Sequence, residues 1–306
     1  MVEPGFHLDV GDGHRICVEP WGDPRGAPIL FLHGGPGSGC NPGQKALFDL
    51  ERHHVIFVDQ RGAGRSLPRR ARHANTTAHL IADLEQVRRR LGIPRWLVCG
   101  GSWGATLGLA YAQAHPERVA GLALRAVFLG TRAELDWAFG EGLRIFRPEL
   151  HAAFLAHLPP EERASPLDAL WRRILDPAPE VHGPAAWLWH DVERRLSELE
   201  PARSDLEAHD ASAPFPATAF MEAHYFREDC FLAPEALIRG AGRLAGIPGI
   251  LVQARYDLLC PPATTALLAA HWPEARLRMV EAAGHSLSHP GVFAALAEAV
   301  RELTSK

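Results

Sequence analysis

The 306-residue chain has few cysteines, no long apolar run and no excess of one charge. The five cysteines (Cys17, Cys40, Cys99, Cys230 and Cys260) are odd in number, widely scattered and form no C-x-x-C pair. That argues against a disulfide framework or a zinc ribbon and makes a reducing cytoplasm the expected setting. No H-E-x-x-H spacing occurs despite 17 histidines, so neither a metal nor an organic cofactor is expected. No apolar stretch free of charges is long enough for a membrane span. The segment Met1–Cys17 shows no basic stretch followed by an apolar one, so no secretory leader is expected. With 32 Lys and Arg against 36 Asp and Glu, the net charge of −4 gives no footprint for nucleic acid. Internal repeats and low-complexity tracts are also missing.

What is present is apolar content: 47% of residues, enough for a full core in a large domain or a core with an insertion. Short apolar runs read as buried strands at Pro28–His33, Val55–Asp59, Trp96–Cys99 and Val119–Leu124. Helical spacing appears at Asp83–Leu91, stopped by Gly92, and at Trp103–Gln113, before Pro116. Strands alternating with helices predict a mostly parallel, doubly wound sheet covered on both faces. From about Leu129 to Leu237 the strand pattern disappears. Helical, tryptophan-rich segments (Trp137, Trp171, Trp187, Trp189) with proline joints such as Pro159-Pro160 replace it. Strands return at Gly249–Ala254 and Ala275–Glu281, and a last helix is expected at Val292–Leu303. The expected organisation is an α/β core over residues 1–128 and 238–306, interrupted by a helical cap at 129–237.

Chemistry concentrates at four loops. Gly100-Gly101-Ser102-Trp103-Gly104 fits G-x-S-x-G between a strand and a helix, the context that exposes a nucleophilic serine on a sharp turn. His33-Gly34-Gly35-Pro36-Gly37 follows a strand and lacks the lysine of a phosphate-binding loop. It is read as an oxyanion loop, with Gly34, Gly35 and the Trp103 amide as donors to the substrate oxygen. Asp257 lies just past the strand ending at Ala254, and His285 follows the next strand, giving the order serine, acid, histidine. Both sit where a doubly wound sheet builds its site, at the carboxyl ends of strands. The roles follow: Ser102 as nucleophile, His285 as general base, Asp257 as the group that orients the imidazole. His289 is expected to face solvent or cap the last helix. Asp59, in the segment Asp59–Ser66, is read as a loop-stabilising residue, and Ser66 as a weaker nucleophile candidate, because no strand-turn-helix context exposes it. The fold class these features support is the α/β-hydrolase fold.

The same residues resemble the proline iminopeptidase family, serine peptidases of that fold. The matching stretches are HGGPGSG at His33–Gly39, DQRGAGRS at Asp59–Ser66 and GGSWGATLGLAYAQAHPERV at Gly100–Val119. ELDW at Glu134–Trp137, EAHYF at Glu222–Phe226, RYD at Arg255–Asp257 and AGHS at Ala283–Ser286 extend the likeness over nearly the whole chain. The resemblance implies an exopeptidase that removes an N-terminal residue, preferably proline, from a small peptide or amino-acid amide. It also implies cap carboxylates that bind the free amino terminus. Glu222 matches one, in a motif that usually reads E-N-H-Y-F and here carries Ala223. The second usually follows a W-x-x-W pair. After Trp189 the chain reads His190-Asp191, without the usual Glu, so Asp191, with His190 beside it, is the expected stand-in. A broader amidase or esterase, and a non-catalytic ligand receptor, are the competing readings. The intact serine, acid and histidine set speaks against the latter.

Overall fold

The computed structural model describes residues 5–200 and 216–305. An eight-stranded sheet runs in the order β1-β2-β4-β3-β5-β6-β7-β8. The strands are β1 (Phe6–Gly11), β2 (His14–Gly22), β3 (Ala27–Leu32), β4 (His53–Asp59), β5 (Trp96–Ser102), β6 (Val119–Val127), β7 (Gly249–Ala254) and β8 (Ala275–Val280). From β4 to β8 every pairing is parallel; β1 and β2 form an antiparallel edge. The central strands are buried on both faces, as parallel strands covered by helices must be. Leu30, Leu32, Val98, Leu122 and Leu124 point to one layer, built with helices α1 (Thr77–Arg90) and α2 (Trp103–Ala114). Ile29, Phe31, Leu97, Cys99 and Ile250 point to the other, where they meet Leu296 and Val300 of the last helix. Each fully buried Leu, Ile or Val contributes roughly 1.5–3 kcal/mol relative to exposure.

Between β6 and β7 the described residues contain helices and no strand. These are α3 (Arg132–Asp136), α4 (Gly142–Phe146), α5 (Pro148–Ala156), α6 (Pro166–Ile174), α7 (Pro179–Ser197), α8 (Ala217–Phe226) and α9 (Ala236–Arg239). Their interior is aromatic: Phe139 stacks on Trp189 at 4.2 Å between ring centroids, and Trp189 also contacts Trp171 and Phe226. We propose residues 129–237 as the cap, because this insertion leaves the sheet after Val127 and returns at Gly249. Two helices complete the core, α10 (Pro262–His271) and α11 (Pro290–Thr304). Among the described residues no helix is long and apolar enough to cross a membrane.

Two details differ from the sequence reading. The β1–β2 hairpin has no counterpart there, and α1 starts six residues earlier than Asp83, at Thr77, where the Thr76 hydroxyl accepts the His79 amide. His289 caps α11 by accepting the Gly291 amide on Nδ1.

Candidate active site

Ser102 ends β5 and precedes α2 in a conformation that L-residues rarely adopt, φ +55° and ψ −126°. Such strain persists only where the surroundings enforce it. Here glycine at two flanking positions makes the turn possible. A Cβ on Gly104 would lie 2.3 Å from the Leu32 carbonyl oxygen, and one on Gly100 2.7 Å from the Gly104 oxygen. The strand and the helix therefore approach too closely for any side chain at either position. Trp103, the residue after the serine, opens α2, where the first amides have no partner within the helix.

The loop after β3 is fixed against this turn by a buried polar network. The Gln60 amide donates to His33 Nε2 at 3.1 Å, which leaves His33 Nδ1–H to donate to the Gly34 carbonyl at 2.9 Å. Burial pushes the His33 imidazole below its ordinary pKa and keeps it neutral, as that bonding requires. The Gln60 side chain donates to the His33 carbonyl and accepts the Trp103 indole N–H at 2.7 Å. One amide thus ties the loop to the residue following Ser102. A Cβ on Gly34 would sit 3.8 Å from the Ser102 Cβ, and Gly35 lines the same small cavity as Ser102.

Asp257 is buried just past β7. Its Oδ1 accepts the amides of Leu259 at 3.0 Å and Cys260 at 2.8 Å. His285 Nδ1 lies 3.0 Å from Oδ1 and 2.9 Å from Oδ2. An ionised carboxylate only accepts, so Nδ1 carries the proton and Nε2 is left as the basic nitrogen. The His285 loop is held from two sides. Arg125 on β6 donates to the His285 carbonyl at 2.9 Å, and the Ser286 amide donates to the Ser197 carbonyl of α7. Among the described residues Ser102 Oγ makes no hydrogen bond to His285; the hydroxyl faces the Cys260 thiol instead. A rotation about the Ser102 χ1 bond is the adjustment left for substrate binding, in line with the looser bonds of substrate-free sites.

Asp59 holds its own loop, as read from sequence, and Ser66, the weaker nucleophile candidate, is buried within it. Asp59 accepts Arg65 Nε at 2.8 Å and the Cys40 amide at 2.7 Å, and Ser66 Oγ donates to the Asp59 carbonyl. Desolvation acts against the Asp59 charge, but these bonds outweigh it and hold the carboxyl below its ordinary pKa.

The cap contributes a different pair from the one expected. Glu222 on α8 is fully buried, and its Oε2 accepts the Trp189 indole N–H at 2.6 Å. Asp191, by contrast, is bound on its own helix by Arg194 at 3.1 Å and Arg195 at 3.9 Å, and the His190 ring packs on Trp187. The structure does not bring Asp191 to Glu222. It brings Glu193, whose carboxylate lies within hydrogen-bonding reach of Glu222 and lines the Ser102 cavity. Burial raises the pKa of both acids, and Glu193 adds further to the rise at Glu222. The helix explains the displacement. Glu193 stands four residues after Trp189, one turn on and on the same face, whereas Asp191, two residues on, points away. That spacing was the signal available in the sequence. A larger cavity, about 580 Å³, lies beside Leu129–Glu134 and Leu232–Ile238, but it contains none of Ser102, Asp257 or His285. Among the described residues no group of three or more His, Cys, Asp or Glu side chains is arranged to hold a metal.

Comparison with known proteins identifies the family. The α/β-hydrolase fold family matches residues 27–165. The proline iminopeptidase of Xylella fastidiosa (strain Temecula1) is 41% identical over 292 residues, 94% of this chain and 93% of that protein. That of Arabidopsis thaliana is 39% identical over 299 residues, 96% of this chain and 79% of that protein. Among solved structures, the proline iminopeptidase-related protein of Thermus thermophilus superposes with a TM-score of 0.62 at 23% identity, covering 100% of this chain and 99% of that one. At that identity the superposition speaks for the fold alone. The full-length sequence matches go further: the chain belongs to the proline iminopeptidase family.

Proposed function

We propose that the protein is a serine exopeptidase that releases an N-terminal residue, preferably proline, from small peptides or amino-acid amides through an acyl-enzyme on Ser102. The observation that carries the reading is that Glu193 of the cap lines the same cavity as Ser102, with the buried Glu222 beside it. A substrate's N-terminal ammonium enters a desolvated site only if it is paired there, since an unpaired buried charge is costly. Cap carboxylates that pair the free ammonium tie cleavage to the N-terminal end of the substrate, which supports exopeptidase rather than internal cleavage.

The chemistry assigned to each residue follows from its bonding. Ser102 Oγ attacks the carbonyl carbon as its proton passes to His285 Nε2. Asp257, fixed by the Leu259 and Cys260 amides, holds Nδ1–H and stabilises the imidazolium. The tetrahedral oxyanion receives N–H groups from Trp103 and from the Gly34-Gly35 loop; one such donor is worth about 2.7–4 kcal/mol in the transition state. His285 then protonates the leaving amine, and water repeats the sequence on the Ser102 ester to release the free amino acid. No step in this sequence calls on a cofactor. The five unpaired thiols suit a reducing cytoplasm.

Turnover of proline β-naphthylamide against its N-acetylated form tests the reading. The free amine should be cleaved and the blocked one should not, and Ser102→Ala should abolish the activity. Equal turnover of both forms would refute the amino-terminus assignment. Far faster cleavage of p-nitrophenyl esters would favour a general esterase.

A further inference from the structure

Glu222 presents a bonding problem that the reaction scheme leaves unused. Its side chain is fully buried. Oε2 accepts the Trp189 indole, while Oε1 has no donor among the described residues. The polar group beside this carboxyl is another acceptor, the Glu193 carboxylate. Two ionised carboxylates in hydrogen-bonding contact repel, and a buried acceptor left without a donor is costly. One proton placed between them removes both penalties. Oε2 is already taken by the indole, so Oε1 shares the proton with Glu193, and the fully buried Glu222 rather than the half-buried Glu193 is its seat, because burial penalises the charged form more there.

We propose that the substrate-free enzyme holds one shared proton on Glu222 Oε1 and that an N-terminal prolyl ammonium binds by expelling it to solvent. The proposal rests on the amino-terminus reading above. A prolyl ammonium carries two N–H donors and needs two acceptors. Glu193 supplies one. While Oε1 is protonated, Glu222 offers only the spare lone pair of a neutral carboxyl, a weak acceptor for a cation. Loss of the proton makes Oε1 a charged second acceptor and leaves two negative charges facing the ligand cation. Atoms and charge balance: the ligand enters as the cation, one proton passes from Oε1 to buffer, and no bond of the ligand changes.

The titratable groups facing the pair are few. His190 on the same helix and His285 on the loop after β8 act on Glu193, each favouring its charge. The 137–141 turn and α6 present Phe139 and Trp171, which do not titrate. Asp191 is engaged with Arg194 and Arg195. Burial and the mutual repulsion of the acids raise the pKa of Glu222, consistent with retention of the proton.

Calorimetry of L-prolinamide binding to Ser102→Ala protein, in buffers of different ionisation enthalpy, reads the proton directly. Expected is release approaching one proton per ligand on the acid side of the pair's titration. The Kd should fall about tenfold per pH unit there and then level off. Glu222→Gln, a neutral mimic of the protonated acid, should bind more weakly, release no proton and lose the pH dependence. Should that variant not fold, Glu193→Gln removes the other half of the pair and carries the same expectation. Binding by Ser102→Ala with no proton release and a flat Kd between about pH 5 and 8 would overturn the shared proton. If N-acetylprolinamide is still rejected in that case, the amino-terminus reading survives. Equal binding of N-acetylprolinamide would overturn both.

Discussion

Arg125 Nη1 donates to the main-chain carbonyl of His285 at 2.9 Å, from beneath the turn that carries Ser102. The guanidinium passes under Gly101, where an added Cβ would lie 2.4 Å from Arg125 Cγ. Among the described residues it forms no ion pair. Burial holds its pKa below the ordinary arginine value, while the nearby charge of Asp257 acts in the opposite sense. A cation in this place anchors the backbone of the proposed general base. Arg125→Met should therefore lower kcat/KM by about 10- to 100-fold, the worth of one charge-assisted hydrogen bond. Arg125→Lys keeps a charged donor and should retain more of the activity than the Met variant. Unchanged kcat/KM in the Met variant would reduce Arg125 to a packing role.

Asp257→Asn separates orientation from structure. The asparagine oxygen can still accept the Leu259 and Cys260 amides, so the fold should persist by circular dichroism. Its NH₂ group, however, forces His285 Nδ1 to accept, which puts the proton on Nε2 and removes the base. By analogy with the same change in other triads, kcat should drop on the order of 10⁴-fold with KM little affected. A loss smaller than about tenfold would show that another group orients the imidazole.

The sequence made the catalytic centre readable because its geometry is local. A strand, a small-residue turn and a helix follow one another at Ser102, and the acid and the histidine each stand directly after an apolar strand. The proposed cap ligands were half readable. Glu222 is evident from its motif. Glu193 is not, because linear alignment after Trp189 stops at Asp191, whereas the helix selects by face rather than by distance along the chain. The β1–β2 hairpin escapes for another reason. Its edge strand β1 alternates apolar and polar residues, Phe6, Leu8 and Val10 against His7 and Asp9, and so lacks the continuous apolar run of the central strands. Its turn, Gly11-Asp12-Gly13, was a signal in plain sight, with both glycines at positive φ.

Glu193 and Asp191 offer a direct comparison on one helix. Glu193→Gln removes a carboxylate from the Ser102 cavity and should cut kcat/KM for prolyl amides by about 10- to 100-fold, mostly through KM. Asp191→Asn removes a partner of Arg194 and Arg195 and should change kcat/KM by less than about threefold. Its effect should appear as a lower Tm, a few degrees for a loss near 1 kcal/mol in a chain of this size. Steady-state kinetics and thermal melts on both variants decide the matter. The reverse ranking would return the ligand role to Asp191.

Glu85 gives the fold an acid-sensitive point far from the chemistry. Its carboxylate accepts Arg88 at 2.7 and 2.8 Å and the Tyr111 hydroxyl at 2.7 Å, joining α1 to α2. Those bonds, Arg88 first, lower its pKa from 4.5 to about 2. The folded value lies below the unfolded one, so this stabilisation is complete above the unfolded pKa and fades as pH falls through the folded one. A shift of that size corresponds to on the order of 3 kcal/mol. Glu85→Gln should therefore be less stable than wild type by up to this amount at about pH 7 in urea denaturation. The gap should narrow steadily below about pH 4.5 and nearly close by about pH 2, because there the wild-type acid is itself protonated. Tyr111→Phe, which removes one of the three bonds, should show a smaller gap that closes over the same interval. A gap for Glu85→Gln that stays constant with pH would mean that the side chain acts through packing and not through its charge.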